Sequence, residues 1–467
     1  MAQTSTTHDQ IALDVPVEDT TVATEVSWQT YLTSSRFRRL SREFIWIGLG
    51  QAAAVLGALV GVRVLTAILP PEAYGRLALG MTVAAFVNQT VLGPLSGAAT
   101  RFFAPACEAG MLGGYFAAVK SLLVRATGAI VLVAFVLCLG LAATGQSQWI
   151  ALSLAALCFA LLSGYNGVLN GMQNAARQRA VVALHQALVS WGRFALAAGF
   201  VIWLGASSTM AMLGYALAIL IVLASQGCFF RRTLSTRMDA RESTLTCERR
   251  WRADLFGYAW PFSVWGLPAW AQLASDRWAL QGFASISDVG RYVTLYQLGY
   301  YPITIATNLM VQVITPVFFQ RAGDASDTSR LHHVFRLNRK VIIVALVLTG
   351  GASLLAFALH NVIFRLLVAP QYRTVSWMLP GVVLAGGLFA SGQIAVVSLL
   401  SQAQTRKLIL PKVGTAICGV LLNMIGAALY GMPGVVAAMI VAGAVYLIWI
   451  LCLSRACHSQ TLGETGQ

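Results

Sequence analysis

The stretch "RVLTAILPPEAYG" (63–75), followed directly by Arg76, is the part of the sequence from which the fold can be read. It leaves one apolar run, makes a short polar turn and enters the next apolar run. A related stretch, "RWALQGFASISDVG" (277–290), followed by Arg291, returns about 215 residues later. Both begin with an arginine near the end of a hydrophobic segment, contain an acid and close on Gly-Arg. The pair predicts two similar halves with arginines at matching depth.

The composition is typical of a polytopic membrane protein. Hydrophobic residues make up 57% of the chain and charged residues 10%, whereas a soluble domain carries about a quarter charged residues. A helix needs about 20 mostly apolar residues to span a bilayer, and the chain offers that length repeatedly. We predict an all-α protein with about twelve transmembrane helices. The predicted spans are 44–69, 77–100, 121–144, 149–170, 180–204, 209–229, 255–280, 292–318, 341–364, 376–400, 409–430 and 433–453.

The net charge of +15 would suit a nucleic-acid partner, but the placement of the charges does not. Most Lys and Arg lie in alternate connections or tails, which is the pattern of cytoplasmic loops. The opposite connections, such as 145–148 and 205–208, are short and contain no Lys or Arg. We therefore predict no nucleic-acid binding and place both termini in the cytoplasm.

The predicted organisation is a duplicated membrane domain with two tails. Six spans in each half give both halves the same orientation, so the repeat is parallel, and such transporters bind substrate between the halves near the midplane. The predicted segments are a disordered cytoplasmic tail (1–40), an N-terminal six-helix bundle (41–230), a basic cytoplasmic linker (231–254), a C-terminal six-helix bundle (255–454) and a cytoplasmic tail (455–467).

Arginines inside the predicted spans mark candidate sites, because a charge at the bilayer centre costs about 2.5–3.5 kcal/mol. Arg193 lies in the middle of a span, where its side chain reaches water least easily. We predict that it lines a substrate pathway; a structural bond to helix carbonyls is the alternative. Arg63 and Arg277 lie one or two turns inside the outer face, where they either line the pathway or extend to lipid headgroups.

Asp276 stands out as an acid well inside a predicted span. Neighbours in a helix do not face each other, so adjacency alone does not imply an ion pair with Arg277. Asp276 is a candidate for coupling to protons or sodium, or a structural partner for an arginine of another helix. Arg101 and Arg125, at the inner ends of their spans, either anchor the helices at the interface or line an inward-facing mouth.

Polar and small residues recur at helical spacing in several spans. Gln89, Asn166 and Asn308 each belong to such a stripe. A single stripe suits hydrogen bonding between helices, whereas several together suit a water-filled cavity, so we count these three as candidate cavity residues.

Motifs of soluble enzymes and metal-ligand clusters are not recognisable in the sequence. The outer loops are short, whereas membrane glycosyltransferases and acyltransferases usually present acids on a sizeable loop. We therefore predict a protein that is not an enzyme and has no metal or cofactor, with proton or sodium coupling left open.

Four stretches carry a resemblance to a known family: "GVRVLTAILPPEAYGRLAL" (61–79), "ATRFFAPA" (99–106), "NGMQNAARQR" (170–179) and the segment 258–298. Residues 40–455 resemble the Wzx-like polysaccharide flippases of the MOP superfamily, the multidrug/oligosaccharidyl-lipid/polysaccharide exporters. The family pattern also includes an Asp-Arg pair before a Gly-x-Tyr, which Asp276-Arg277 and Gly290-Arg291-Tyr292 match.

The resemblance implies two six-helix bundles around a central cavity. It also implies that the protein moves an undecaprenyl-pyrophosphate-linked oligosaccharide across the bacterial cytoplasmic (inner) membrane, for O-antigen, capsule or exopolysaccharide. Its implied partners are membrane lipid, a polysaccharide polymerase and a chain-length regulator. Arginine suits a pyrophosphate independently, because it offers several donors. A multidrug or cation antiporter of the same superfamily would require buried carboxylates, of which only Asp276 is offered; it remains the alternative.

Overall fold

The computed structural model describes residues 35–235, 245–323, 328–402 and 405–463, which are helical and contain no strand. Eleven α-helices occur within these ranges. They are α1 (Ser35–Ile68), α2 (Pro71–Glu108), α3 (Leu112–Ala143), α4 (Ile150–Ala175), α5 (Arg179–Leu204), α6 (Ser208–Ser235), α7 (Leu245–Phe283), α8 (Ile286–Ala322), α9 (Thr328–Leu367), α10 (Leu379–Ser401) and α11 (Ile409–Gly463). Short 3₁₀ turns occupy Ser147–Trp149, Pro370–Met378 and Thr405–Leu408.

The prediction of an all-α polytopic membrane protein is confirmed. Within the described ranges, nine helices are long and apolar enough to cross a membrane. The prediction of about twelve spans differs from this count for three identifiable reasons. α7 is not among the nine helices, and the apolar part of α1, Ala52–Ile68, is shorter than a full span. α11 counts once, although Gly431 leaves helical geometry (φ 60°, ψ −134°) between the two spans predicted there.

Several helices extend beyond the boundaries predicted from hydrophobicity. α1 begins at Ser35, inside the predicted tail, and residues 1–34 lie outside the described part of the chain. α6 and α7 reach into the predicted linker from both sides, and its remaining residues, 236–244, are likewise not described. Arg, Leu and Glu favour helix, so a helix continues past its apolar stretch where such residues follow.

The chain divides by packing into a small unit, Met1–Ile45, of which the described part is the start of α1, and a large unit, Trp46–Gln467. In the first half of this larger unit, α2 packs on α4 and α6. In the second half, α10 packs on α8, α9 and α11.

Helix α7 contacts both halves. It packs along α11 in the second half, and also against α2 and α3 in the first half. Near its start, Leu255 and Ala259 are buried together with Phe103 of α2 and Tyr115 of α3. Gly266, further along α7, fits against the backbone of Gln89, where α2 contains one π-helical turn. α7 therefore closes the space between the halves at the end of the molecule where α3 begins, which we call the Tyr115 end.

Helices α2 and α8 meet at the two glycines that close the repeated stretches. A Cβ atom on Gly75 would overlap the carbonyl oxygen of Ile286, and one on Gly290 would overlap that of Pro71. Only glycine at both positions permits this backbone contact. The two repeated stretches therefore meet in space, and we call this part of the molecule the Gly75 end.

The repeated stretches also share a local ion pair at the start of each helix. Arg76 lies 2.6 Å from Glu72 on α2, and Arg291 lies 3.1 Å from Asp288 on α8. Both acids occupy the first helical turn, where the positive end of the helix dipole favours a negative charge. The acid and the Gly-Arg of each stretch thus begin the helix in the same way.

Candidate functional site

A cavity of about 380 Å³ lies between the two halves beside the Gly75 end. Side chains of α1, α2, α5, α6, α7 and α8 line it, and we call it the main cavity. Its charged lining residues are Arg193, from the first half, and Arg277, from the second. No carboxylate is among its lining residues in the described part of the chain, so the walls of the main cavity carry positive charge alone.

Arg193 presents a cation that lacks a carboxylate partner. Its guanidinium carbon lies 4.5 Å from the ring centre of Phe194 and 5.8 Å from that of Tyr215. Its Nε atom is buried and has no hydrogen-bond partner, and within the described residues no acid lies at ion-pair distance. The two aromatic rings offset part of the cost of holding the charge. The remaining hydrogen-bonding capacity is available to a ligand.

Arg277 is held from several sides. Its Nη1 donates to the carbonyl oxygen of Leu273 at 2.8 Å, and its guanidinium carbon lies 4.6 Å from the ring centre of Tyr296. The same Nη1 lies 3.6 Å from a carboxylate oxygen of Asp276. Arg277 is therefore fixed in position at the cavity wall, with its charge partly balanced.

Asp276 and Arg277 form a local pair, which their adjacency in the helix alone did not predict. Because the long Arg277 side chain turns back along α7 toward Leu273, its guanidinium passes close to the preceding carboxylate. Asp276 is buried and accepts a hydrogen bond from the Tyr292 hydroxyl at 2.5 Å. Its arginine partner is thus its neighbour, not an arginine of another helix. Coupling of Asp276 to an ion stays a prediction.

Hydrogen bonds join the two halves across the main cavity. The indole N–H of Trp270 donates to the carbonyl oxygen of Thr82 at 2.8 Å, and that of Trp278 donates to the hydroxyl of the same residue at 2.9 Å. The Tyr74 hydroxyl donates to the amide oxygen of Gln297 at 3.0 Å. Two tryptophans of α7 therefore hold one residue of α2, and these bonds must break if the halves move apart.

Two smaller cavities lie along α7 near the main cavity. One, of about 260 Å³, lies between α2 and α7, and we call it the Gln89 cavity. The other, of about 250 Å³, lies between α7, α10 and α11 and faces α2; we call it the Lys412 cavity. The main cavity and the Lys412 cavity share Leu273, while Gln89 and Trp265 line both smaller cavities. The three cavities therefore form a row.

The other predicted site residues lie away from this row. Arg63, Arg101, Arg125 and Asn308 are exposed and line none of the three cavities. Of the residues predicted from the sequence, Arg193 and Arg277 line the main cavity together, and Gln89 lines both smaller cavities. A substrate role for the four exposed residues stays a prediction.

Asn166 lies in a buried cluster of amides inside the first half. Its Nδ2 donates to the Oε1 of Gln226 on α6 at 2.9 Å, and Gln226 Nε2 in turn donates to Asn170 at 2.6 Å and to Gln173 at 2.5 Å. We call these four residues the amide cluster. The amide cluster joins α4 to α6. This is hydrogen bonding between helices, one of the two interpretations that the sequence left open for the polar stripe containing Asn166.

Two residues of the row were not recognised from the sequence. Lys412 follows the basic residues Arg406 and Lys407 so closely that it passes for part of the same positive connection. Its position inside a predicted span was the available signal. Tyr446 lies in an apolar run that gives no signal, yet it lines the Lys412 cavity.

The row of cavities is suited to binding an anion. Arg193, Arg277 and Lys412 line it, and no carboxylate among the described residues does. No group of three or more His, Cys, Asp and Glu side chains that could hold a metal ion occurs in the described ranges.

Comparison with solved structures identifies the fold. A structure described as the lipid II flippase MurJ, inward closed conformation, has a TM-score of 0.65 and 11% identity, covering 88% of this chain and 87% of that one. An inward-facing multidrug resistance MATE transporter of the MOP superfamily has a TM-score of 0.60 and 15% identity, over 88% and 96% of the two chains. A MOP superfamily transporter from Pyrococcus furiosus, whose description reports a reversed polarity of the binding pocket, has a TM-score of 0.55 and 16% identity, over 88% and 96%.

No curated protein matches the sequence. The profile of one protein family, described as "Polysaccharide biosynthesis protein", matches residues 40–321, which is more than half of the chain. The chain is a multi-pass membrane protein that belongs to this polysaccharide biosynthesis family and has the fold of the MOP superfamily transporters.

Proposed function

We propose that this protein is a flippase that moves undecaprenyl-pyrophosphate-linked oligosaccharide repeat units across the bacterial inner membrane by alternating access. Such units supply the synthesis of O-antigen, capsule or exopolysaccharide. The observation that carries the proposal is the main cavity, where Arg193 and Arg277 come from different halves and no carboxylate is among the lining residues in the described part of the chain.

A pyrophosphate is the part of this substrate that such a cavity would bind. Arginine donates several hydrogen bonds in a fixed planar geometry that matches phosphate oxygens. Arg193 has an unpartnered Nε, and Arg277 is positioned by Leu273 and Tyr296. A ligand held by both arginines would contact both halves at once, so its binding would respond to their relative movement.

Alternating access would require the contacts between the halves to form and break in turn. At the Gly75 end these are the Gly75–Gly290 contact, the bonds of Trp270 and Trp278 to Thr82, and the bond from Tyr74 to Gln297. With both termini placed in the cytoplasm, as the distribution of basic residues predicts, the Gly75 end would be periplasmic. Opening there would release the glycan to the side where the polymerase and the chain-length regulator act.

A multidrug or cation antiporter is the second candidate, favoured by the buried carboxylate of Asp276 beside the main cavity. Its pairing with Arg277 and its hydrogen bond from Tyr292 weaken this case, because a carboxylate already paired with a cation is a poor receptor for another. Coupling to a proton or sodium gradient through Asp276 is compatible with either function.

The test compares alanine variants of the cavity arginines with a matched variant outside the cavities. Purified protein in lipid nanodiscs is titrated with undecaprenyl pyrophosphate, and polysaccharide export is measured in cells. We expect Arg193→Ala and Arg277→Ala each to weaken binding about tenfold or more, as the loss of a charge-assisted hydrogen bond predicts, and to abolish export. Arg339→Ala, on the exposed surface of α9, should change neither.

An antiporter would give the opposite result. If wild-type protein does not bind undecaprenyl pyrophosphate, or if Arg193→Ala leaves both polysaccharide export and resistance to cationic drugs intact, the flippase proposal is wrong.

A further inference from the structure

We propose that the Lys412 cavity is a glycan subsite that binds an acidic sugar, with the sugar carboxylate at Lys412. This inference rests on the flippase function proposed above and adds a substrate class to it: repeat units that carry a uronate or a similar carboxylated sugar close to the lipid pyrophosphate.

The charge of Lys412 is placed where an anion would stabilise it. Lys412 is partly buried, lines the cavity and makes no ion pair within the described residues. It lies in the first turn of α11, which contains no acid. The helix dipole is positive at that end and disfavours a cation there. A carboxylate in the cavity would supply the ion-pair partner of Lys412 and offset its unfavourable interaction with the helix dipole.

Tyr446 provides an independent indication of a ligand. Its side chain lines the cavity and is 2% exposed, and its hydroxyl has no hydrogen-bond partner. Its ring stacks on that of Phe389, with centres 5.0 Å apart, and lies against Gly392. The hydroxyl is therefore held in place, and leaving it unpaired costs stability. A ligand oxygen in the cavity would give the Tyr446 hydroxyl its missing hydrogen-bond partner.

The remaining lining residues are those expected for a sugar. Gln89, Gln272 and Gln393 bring amide groups to the cavity, and an amide can both donate to and accept from sugar hydroxyls. Trp265 and Phe389 add aromatic surface to the same cavity, against which the apolar face of a sugar ring can pack.

The position of the cavity suits a sugar attached to a pyrophosphate at Arg277. Gln272, which lines the Lys412 cavity, and Arg277, which lines the main cavity, are both on α7. Five residues along a helix correspond to roughly 7 Å. The shared residue Leu273 lies between them. A glycan bound through its pyrophosphate in the main cavity could therefore place a sugar near its reducing end in the Lys412 cavity.

The test measures the preference of the full-length protein in nanodiscs for an acidic over a neutral sugar. The probes are two synthetic polyprenyl-pyrophosphate disaccharides, one ending in glucuronate and one in glucose, together with undecaprenyl pyrophosphate without sugar. We expect wild-type protein to bind the glucuronate probe about tenfold more tightly than the glucose probe. Lys412→Gln should remove this preference and leave the affinity for undecaprenyl pyrophosphate unchanged.

Two further variants separate the role of the charge from any effect on folding. Lys412→Arg should keep the preference for glucuronate, and Lys120→Gln, an exposed lysine on α3, should leave all three affinities unchanged. Equal binding of both disaccharides by wild-type protein would overturn the inference. So would a loss of undecaprenyl pyrophosphate binding in Lys412→Gln, because Lys412 would then belong to the pyrophosphate site. Failure of the wild type to bind undecaprenyl pyrophosphate would refute the flippase proposal itself.

Discussion

At the scale of single residues, the two cavity arginines differ in how much charge they offer a ligand. Arg193 is surrounded by rings and has no carboxylate partner within the described residues. Arg277 lies beside Asp276, which is also tied to Tyr292. The cavity thus combines one unbalanced cation with one that is partly neutralised, and the carboxylate sets how strongly the second attracts an anion.

Replacing Asp276 by asparagine should lower the stability of the protein and at the same time strengthen its binding of undecaprenyl pyrophosphate. The variant removes the negative charge but keeps an acceptor for Tyr292. Losing the partner of a buried charge should lower the free energy of unfolding by about 1–3 kcal/mol, measured by thermal unfolding in detergent. The charge of Arg277 is then no longer partly balanced by a carboxylate, so undecaprenyl pyrophosphate should bind several times more tightly.

A control for this variant is Glu72→Gln, which breaks the more exposed pair with Arg76 and should cost less than about 1 kcal/mol. If Asp276→Asn weakens binding of undecaprenyl pyrophosphate, the carboxylate does not compete with the ligand for Arg277. A loss of gradient dependence in transport by the same variant would support coupling through Asp276.

At the scale of helices, two kinds of contact hold the elements in register. Within the first half, the amide cluster ties α4 to α6 through side chains. Between the halves, the backbones of α2 and α8 touch at Gly75 and Gly290, and a side-chain hydrogen bond, from Tyr74 to Gln297, joins the same two helices nearby. The buried amides hold two helices of one bundle together, whereas the glycine contact lets two helices of different halves approach closely.

The amide cluster should contribute to the stability of the protein and not to its affinity for substrate. Gln226→Leu leaves the amides of Asn166 and Asn170 without their partner, and we expect a loss of about 1 kcal/mol, as hydrogen bonds between membrane helices usually contribute. Thermal unfolding checks the loss, and titration with undecaprenyl pyrophosphate should show an unchanged affinity. A weakened affinity in a correctly folded variant would instead connect the cluster to the pathway.

The glycine contact should control which end of the molecule is closed. In Gly75→Ala the new methyl group would overlap the Ile286 carbonyl, so the halves should separate at this end. A cysteine introduced by Gln297→Cys, in a background without native cysteines, should then react faster with a membrane-impermeant thiol reagent. The control is Gly128→Ala, which meets nothing within 4 Å. Unchanged reactivity in Gly75→Ala would show that the contact between Gly75 and Gly290 does not keep this end of the molecule closed.

At the scale of the whole molecule, the membrane potential becomes part of the energetics. When the inside of the membrane is negative, moving one negative charge outward is favourable by about 2.3 kcal/mol per 100 mV. A cavity that binds pyrophosphate through arginines would allow the potential alone to bias export.

Reconstituted vesicles test this directly. With lipid-linked oligosaccharide as substrate, imposing a potential that is negative on the cytoplasmic side should speed transport to the opposite leaflet, without any proton or sodium gradient. The zero-potential preparation is the control. Transport that ignores the potential and requires an ion gradient would exclude the potential-driven mechanism.

The sequence was sufficient for the fold and for part of the candidate site. Hydrophobic length predicted the helices, and the repeated Gly-Arg stretches pointed to residues that meet in the structure, Gly75 and Gly290. A charge in the middle of a span drew attention to Arg193, which lines the main cavity. The pairing of Asp276 with Arg277 depends on how one long side chain turns, which helical spacing does not specify. Lys412 and Tyr446 become part of a cavity only through the packing of α7 on α11.

The glycine contact also bears on how the two halves of this chain can change over time. The space that a side chain would need on Gly75 is filled by the backbone beside Gly290, and the reverse is equally true. A side chain introduced at either glycine therefore meets backbone atoms of the other repeated stretch, which cannot rotate away as a side chain can. At this contact neither half can accept a larger residue unless the other helix moves with it.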